Sequence, residues 1–413
     1  MEISVASDPD GHFCAHAQRS LGYLLDQLKA AQSAIPPLRL RKLAMHLLSV
    51  ALHYDELWPF ACQILVVVAP KMEQAGHRDE WILLLTACLK QAQVLQDEAT
   101  SAELHLQLGR LYQLQGAFEA AQNNYAASTR LFCNENNHRQ QAYALSREAY
   151  IAHLQHHHGR VSRLLDEALA LLDNDDIERA GIYAVQGGVV LEQQDWPAAI
   201  AYFEQALRLW RQTDNLRMIA WSLRDLGPPL RALERYSEAI SCYEEALTIF
   251  EQIDDPVHKA STQMNLGVVY LMVHELERAL QLFALAEPVF RQTFDQMRLA
   301  KVYVNQGITY GQLKQWAQAI SQLEAGIHLH RKIGNVRALV NALDELGVIY
   351  LAQEQYPEAA ATLREALNCL QTISNQPGYA PLYKSVFAHF QQCWDRQASK
   401  VGCEGLLAQT PTT

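Results

Sequence analysis

Apolar residues recur along this chain at steps of three and four, the period of a helix with one buried face. In Ser237–Ile253 the stripe is Ala239, Ile240, Tyr243, Ala246, Leu247, Phe250 and Ile253. The stretch Lys259–Val273 behaves likewise through Met264, Leu266, Gly267, Val269 and Tyr270. Polar breaks at Asp214-Asn215, Asp254-Asp255-Pro256 and Gly334-Asn335 separate the stripes, and shorter turns such as His274-Glu275 divide them again. Asp or Asn before a stripe reads as an N-cap, and Pro just after it as a first-turn residue. The pattern predicts antiparallel helix pairs, each helix of roughly 15 to 17 residues.

The pairs repeat. Gly187, Gly227, Gly267, Gly307 and Gly347 are spaced forty residues apart. Nine residues on stand Trp196, Tyr236, Leu276, Trp316 and Tyr356; twelve on, Ala199, Ala239, Ala279, Ala319 and Ala359. Sixteen on stand Phe203, Tyr243, Phe283, Leu323 and Leu363, and nineteen on, Ala206, Ala246, Ala286, Gly326 and Ala366. Columns this regular predict an array of one supersecondary unit. Glycine inside a helix costs about 1 kcal/mol against alanine, so a glycine column implies close helix approach. The aromatic and Leu columns fill the space beside it.

These columns resemble the tetratricopeptide repeat. The best copies are Leu266-Gly267-Val268-Val269-Tyr270 with Ala279 and Phe283, and Leu346-Gly347-Val348-Ile349-Tyr350 with Tyr356, Ala359 and Ala366. The usual period of that family is about 34 residues. Here it is longer, and Arg211, Glu251, Arg291, Arg331 and Gln371 stand where the closing proline would be. The longer variant resembles the repeats of kinesin light chains, of Leu-Gly-Asn-rich polarity adaptors and of bacterial Rap- and MalT-like regulators. The resemblance implies an all-α, right-handed superhelical solenoid of antiparallel helix pairs.

Upstream the pattern continues through Leu108-Gly109-Arg110-Leu111-Tyr112, Phe118, Ala121, Tyr125 and Ser128, then a shorter copy with Ala149 in the glycine place. Seven repeats are therefore expected over residues 101–374. Residues 1–100 read as degenerate capping helices (Gln18–Ala31, Leu38–His53, Glu56–Gln74, Asp79–Leu95), residues 375–396 as a capping helix from Tyr379, and 397–413 as a flexible tail.

Composition narrows the classes. The start Met1-Glu2-Ile3-Ser4 lacks a signal peptide's basic and apolar regions. The longest apolar run, Ile64–Ala69, is too short to span a bilayer. Eight cysteines are scattered without a Cys-x-x-Cys pair. A cytoplasmic protein without membrane insertion is expected. The net charge of −11 argues against nucleic-acid binding, which depends on Lys and Arg neutralising phosphates.

Catalytic patterns are missing. No phosphate-binding glycine loop occurs, His274-Glu275 has Arg278 where a second zinc ligand would stand, and Asp173, Asp175 and Asp176 lack the glycine of a calcium loop. His153, His156, His157 and His158 cluster at a helix end. His153 and His157, four apart, could share a helical face as a two-ligand pair; the alternative is histidine complementing a helix dipole. No enzyme, no cofactor and no metal is expected.

The resemblance implies that first helices line a concave surface. It places residues three and two before each glycine, and one and four after it, toward the hollow. The residues so assigned to partner binding are Arg224, Asp225 and Arg231, then Met264, Asn265 and Val268, then Asn305 and Ile308, then Asp344 and Glu345. Trp221, Lys301 and Asn341 lie one turn earlier on the same face. Asn265 and Asn305 occupy the place of the adaptors' groove asparagine, and an amide both donates to and accepts from a peptide backbone. Basic Arg224 and Arg231 followed by acidic Asp344 and Glu345 suggest a partner with an acidic segment before a basic one. Pro228-Pro229, in mid-helix by register, predicts a kink or stop. The expected function is a scaffold or adaptor holding a peptide or helix of another protein. A sensor or regulator that binds a small molecule or signalling peptide and acts on a separate effector is the alternative.

Overall fold

The computed structural model describes residues 11–30, 37–74, 78–374 and 378–401. Among these the chain is all helical, without a strand. Its elements are α1 (His12–Ala30), α2 (Leu38–Ala51), a 3-10 turn (Asp55–Leu57), α3 (Trp58–Gln74), α4 (Arg78–Val94), α5 (Glu98–Leu114) and α6 (Phe118–Asn134). Then come α7 (His138–Leu154), α8 (His158–Ala170), α9 (Arg179–Glu192), α10 (Trp196–Trp210), α11 (Leu216–Ala232), α12 (Tyr236–Gln252) and α13 (Pro256–Met272). The last are α14 (Leu276–Gln292), α15 (Gln296–Gln312), α16 (Trp316–Lys332), α17 (Val336–Ala352), α18 (Tyr356–Gln371) and α19 (Tyr379–Val401).

The turns explain the period. Helices α13 to α17 have 17 residues each. Three residues join each to the next, so two helices and two turns make forty. At the turn after α12, Asp254 takes φ 52°. Its N–H donates to Glu251 O at 3.2 Å, and the Asp255 N–H to Phe250 O at 2.9 Å. These two bonds close the helix as a Schellman motif. The Asp255 carboxylate then accepts from the His258 N–H at 3.2 Å, capping α13. One residue thus ends a helix and begins the next. Asp295 and Asn335 do the same, accepting from Arg298 N and Ala338 N. Ten described non-glycine residues hold positive φ, all in such turns. Each costs about 1–2 kcal/mol, offset by carbonyls that would otherwise lack partners.

The chain divides into two compact units, Met1–Pro229 and Leu230–Thr413. In the first, Leu24, Leu28, Leu48, Ile64 and Trp81 of α1 to α4 form a fully buried core. Consecutive helices from α4 to α8 pack in sequence, as do α9 and α10. In the second, α12 to α19 pack in sequence, and α13 touches α15, α15 touches α17 and α17 touches α19. The expected domain limits do not coincide with this division, and α19 continues past 396 to Val401. Residues 402–413 lie outside the described residues.

The glycine column has a specific counterpart. A β-carbon added at Gly267 would lie 2.6 Å from Phe283 Cε1, and one at Gly347 2.6 Å from Leu363 Cγ. Gly307 meets Leu323, Gly187 meets Phe203 and Gly109 meets Tyr125 in the same way. Each glycine is the hole for the large residue sixteen positions on. The filling side chains are buried, and each contributes about 1.5–3 kcal/mol of apolar transfer. The flanking alanines Ala279, Ala286, Ala319 and Ala359 are fully buried.

One expectation is corrected here. Helix α11 does not stop at Pro228-Pro229 but runs unbroken to Ala232. Proline holds φ near −65°, already a helical value, so the backbone path survives the loss of two donors. The boundary between the units falls after Pro229.

Candidate functional site

In the C-terminal unit, α13, α15 and α17 are first helices of successive repeats. On each, residues six and two before the glycine and one after it share a stripe, because i, i+4 and i+7 lie on one face. The stripes are Ser261, Asn265, Val268; Lys301, Asn305, Ile308; and Asn341, Glu345, Val348. Asn265, Asn305 and Glu345 are half-buried, Val268, Ile308 and Val348 likewise, and Lys301 and Asn341 are exposed. An apolar row therefore runs beside a polar one. The side-chain amides of Asn265, Asn305 and Asn341 make no hydrogen bond with any described residue.

Two charged groups on this face are perturbed. The Lys301 ammonium is held below its ordinary value, first by desolvation and then by Arg298, with Asp295 opposing. The Glu345 carboxyl is raised, first by burial and then by Asp344, with His389 opposing. Each charged form would gain from an opposite charge brought against it.

The other predicted residues fall elsewhere. Met264 is 7% exposed and belongs to the core with Ala260, Leu271 and Phe283. Asp344 is 9% exposed and turned toward α19. It accepts from Ser385 Oγ at 3.3 Å and lies 2.8 Å from His389 Nδ1. At Asp344 the residue three before the glycine thus faces α19. Nothing in the repeat pattern reveals this, since Ser385 and His389 lie outside the repeats.

Arg231 is half-buried, with Nη1 3.9 Å from Met272 Sδ. Trp221, Arg224 and Asp225 belong to the N-terminal unit and form their own cluster. Arg224 donates through Nε and Nη2 to Asp225 Oδ1 at 2.9 and 2.7 Å, and its guanidinium lies 5.9 Å from the Trp221 ring. Arg224 is therefore neutralised by its neighbour, which weakens the expected basic-to-acidic order along the first helices.

The histidine cluster does not form a two-ligand face. Helix α7 ends at Leu154, His156 takes φ 59° in the turn, and His157 is the N-cap of α8. His153 is buried in the last turn of α7, its Nε2 3.4 Å from Glu192 Oε1. Among the described residues no group of three His, Cys, Asp or Glu side chains is arranged to hold a metal ion. Asp176 is a turn residue that accepts from Arg139 and from the Glu178 N–H.

A buried histidine escaped the sequence reading. His330 in α16 is 2% exposed, and its Nδ1 has no hydrogen-bond partner. It stands 23 residues after its glycine, where other copies place Phe250, Phe290 and Leu370. Burial holds its imidazole below the ordinary value, and Lys301 adds to this. The +23 column was the available signal.

Residues 230–292 and 298–372 match the tetratricopeptide repeat family, and over these segments the chain is built of tetratricopeptide repeats. Among solved structures, it is similar to a signal transduction ATPase with numerous domains, carrying a tetratricopeptide repeat sensor, from Pyrococcus horikoshii. That match has 15% identity and a TM-score of 0.59, and covers 97% of this chain and 65% of the other. Aspartyl phosphate phosphatase F from Bacillus subtilis is similar at 13% identity and TM-score 0.45, over 83% of this chain and 95% of its own. A Rap protein complexed with competence and sporulation factor gives 11% identity and TM-score 0.46, over 92% and 99%. At such identities the Pyrococcus match supports a shared fold and nothing further. No curated protein matches the sequence.

Proposed function

We propose that the protein is a non-enzymatic scaffold or adaptor that binds an extended or helical segment of another protein across α13, α15 and α17. The observation that carries this reading is the pair of amides Asn265 and Asn305, two residues before their glycines and three before Val268 and Ile308, with Asn341 two turns before Val348 on the same face of α17, all three without side-chain partners among the described residues. Each amide offers a donor and an acceptor to a passing backbone, and the apolar row takes alternate side chains. Lys301 and Glu345 fix the direction, since an acidic group favours the first and a basic group the second. No described helix is long and apolar enough to cross a membrane.

The test begins with peptides selected from a display library against the full chain, followed by affinity measurement on Asn265→Ala combined with Asn305→Ala. Each lost hydrogen bond is worth about 0.5–1.5 kcal/mol, so the pair predicts a loss of about tenfold or more. Helix content and melting stay as in the parent protein. Retention of full affinity by the double variant, or failure to select any peptide, removes the reading. Crosslinking mass spectrometry on a bound peptide places it on the first helices or elsewhere.

A further inference from the structure

A second site lies in the N-terminal unit. Between α4, α5 and α6 is a cleft of about 580 Å3, lined by Ala92, Gln93, Gln96, Glu98, Ser101, His105, Ala127, Arg130 and Leu131. That volume falls within the range of about 300–1,000 Å3 usual for small-molecule sites. Its opening has a cause in the sequence. Ser101 stands eight residues before Gly109, where the other copies carry Gln141, Arg179, Ile219, Lys259, Leu299 and Leu339. A short side chain in a column of long ones leaves the space between helices unfilled.

The polar groups around that space are incompletely used. Arg130 and Glu98 make no ion pair or hydrogen bond with any described residue. His105 is oriented by Asn124. Asn124 Nδ2 donates to Ala120 O at 2.8 Å, which turns its Oδ1 toward His105 Nδ1 at 2.9 Å. With Nδ1 donating to Asn124, the matching tautomer is the one whose Nε2 can accept. Negative charge is crowded at the Glu98 end. The Glu135 carboxyl is raised from its ordinary value, first by burial and then by Glu98 and Asp97.

A simple anion in this cleft would gain Arg130 but meet Glu98. A simple cation would gain Glu98 but meet Arg130. A molecule carrying both charges satisfies the two ends together, with the guanidinium fork taking a carboxylate. We infer that the cleft binds a small zwitterion, an amino acid or a peptide of a few residues. Its carboxylate pairs with Arg130, its ammonium sits near Glu98, and His105 Nε2 accepts an N–H. Ala92, Ala127 and Leu131 form the apolar wall. The site is independent of the face on α13, α15 and α17, and either can fail without the other.

The experiment is titration calorimetry on the full chain with the free amino acids and with Ala-Ala and Gly-Gly. N-acetyl-Ala-Ala and Ala-Ala amide serve as analogues carrying one charge each. At least one zwitterion binds, and the comparison of amino acids with dipeptides identifies which form is preferred. Blocking either terminus, or introducing Arg130→Gln or Glu98→Gln on the exposed rim, weakens binding about tenfold or more, as expected of a charge-assisted pair. Ser101→Leu fills the cleft and abolishes binding, and circular dichroism reports whether the helices remain. The inference is overturned if no zwitterion binds at millimolar concentration. It is equally overturned if binding is unchanged in Arg130→Gln and in Glu98→Gln.

Discussion

Replacing Gly267 with alanine pits two effects of opposite sign against each other. In an unobstructed helix the change stabilises by about 1 kcal/mol, because alanine loses less backbone entropy. Here the new β-carbon would lie 2.6 Å from Phe283 Cε1 and 3.0 Å from Cδ1 and Cζ. Carbon pairs prefer about 3.5–4.0 Å, so the ring or the helix must move by about 1 Å. Phe283 is fully buried, as are the neighbouring Ala279 and Ala286. Overpacking of this kind costs about 1–3 kcal/mol. The net expectation is destabilisation by up to about 2 kcal/mol, whereas Gly267→Leu costs more. Gly22 is the control. It lies in mid-helix in α1 with nothing within 4 Å of a β-carbon, so Gly22→Ala stabilises. Phe283→Ala gives the second leg of a cycle: with the side chain that fills the hole gone, Gly267→Ala recovers part of its helical gain. Repeat arrays unfold in stages, so native-state hydrogen exchange on the amides of α13 and α14 is the assay. If Gly267→Ala protects those amides as Gly22→Ala protects α1, the glycine is not a packing hole and the account of the repeat is wrong.

Three further outcomes follow from named contacts. Stability should decline as pH falls through about 6.5, the ordinary histidine value, because the unfolded chain then takes up a proton that His330, with its pKa depressed by burial and Lys301, resists. His330→Phe should remove that part of the pH dependence in urea titrations and stabilise by about 1–3 kcal/mol, since a buried nitrogen without a partner is replaced by the ring its neighbouring copies carry. Asp255→Ala should cost about 1–2 kcal/mol and show as faster exchange in the first turn of α13, with the Schellman bonds that close α12 intact, because those use backbone only. Asp344→Ala, which removes the acceptor for Ser385 and the partner of His389, should speed limited proteolysis of α19 and leave α13 to α16 unchanged; equal cleavage rates would mean that α19 is held by its apolar contacts alone.

The repeats were legible because each column obeys one steric rule. Gly267 with Phe283 and Gly347 with Leu363 are the same event two periods apart, so one copy predicts another. The turns were legible only in part. Asp254-Asp255-Pro256 announces a cap, yet nothing in Phe294 or His274 suggests a left-handed residue. They adopt it because the flanking helices and the Schellman bonds leave a three-residue connection no other path. The candidate face follows the same logic. Asn265, Asn305 and Glu345 share one register position, two before the glycine, and all three are half-buried. The setting of Asp344 could not be read this way, because its surroundings come from α19, which repeats nothing.

The positions where one copy departs from its column carry the most information about what the molecule does. Ser101 in a column of long side chains opens a cleft, and His330 in a column of Phe and Leu buries a titratable ring. Lys301, which acts on it electrostatically, is the one cation at its register position. The columns that every copy keeps are occupied by packing, and a residue committed to packing cannot also meet a ligand. In an array built from one unit, local departures are where chemistry can be added without unmaking the stack, because each repeat leans only on its neighbours. The two sites proposed here test that argument from both sides: the face on α13, α15 and α17 depends on what successive copies share, and the cleft at Ser101 on what one copy alone has lost.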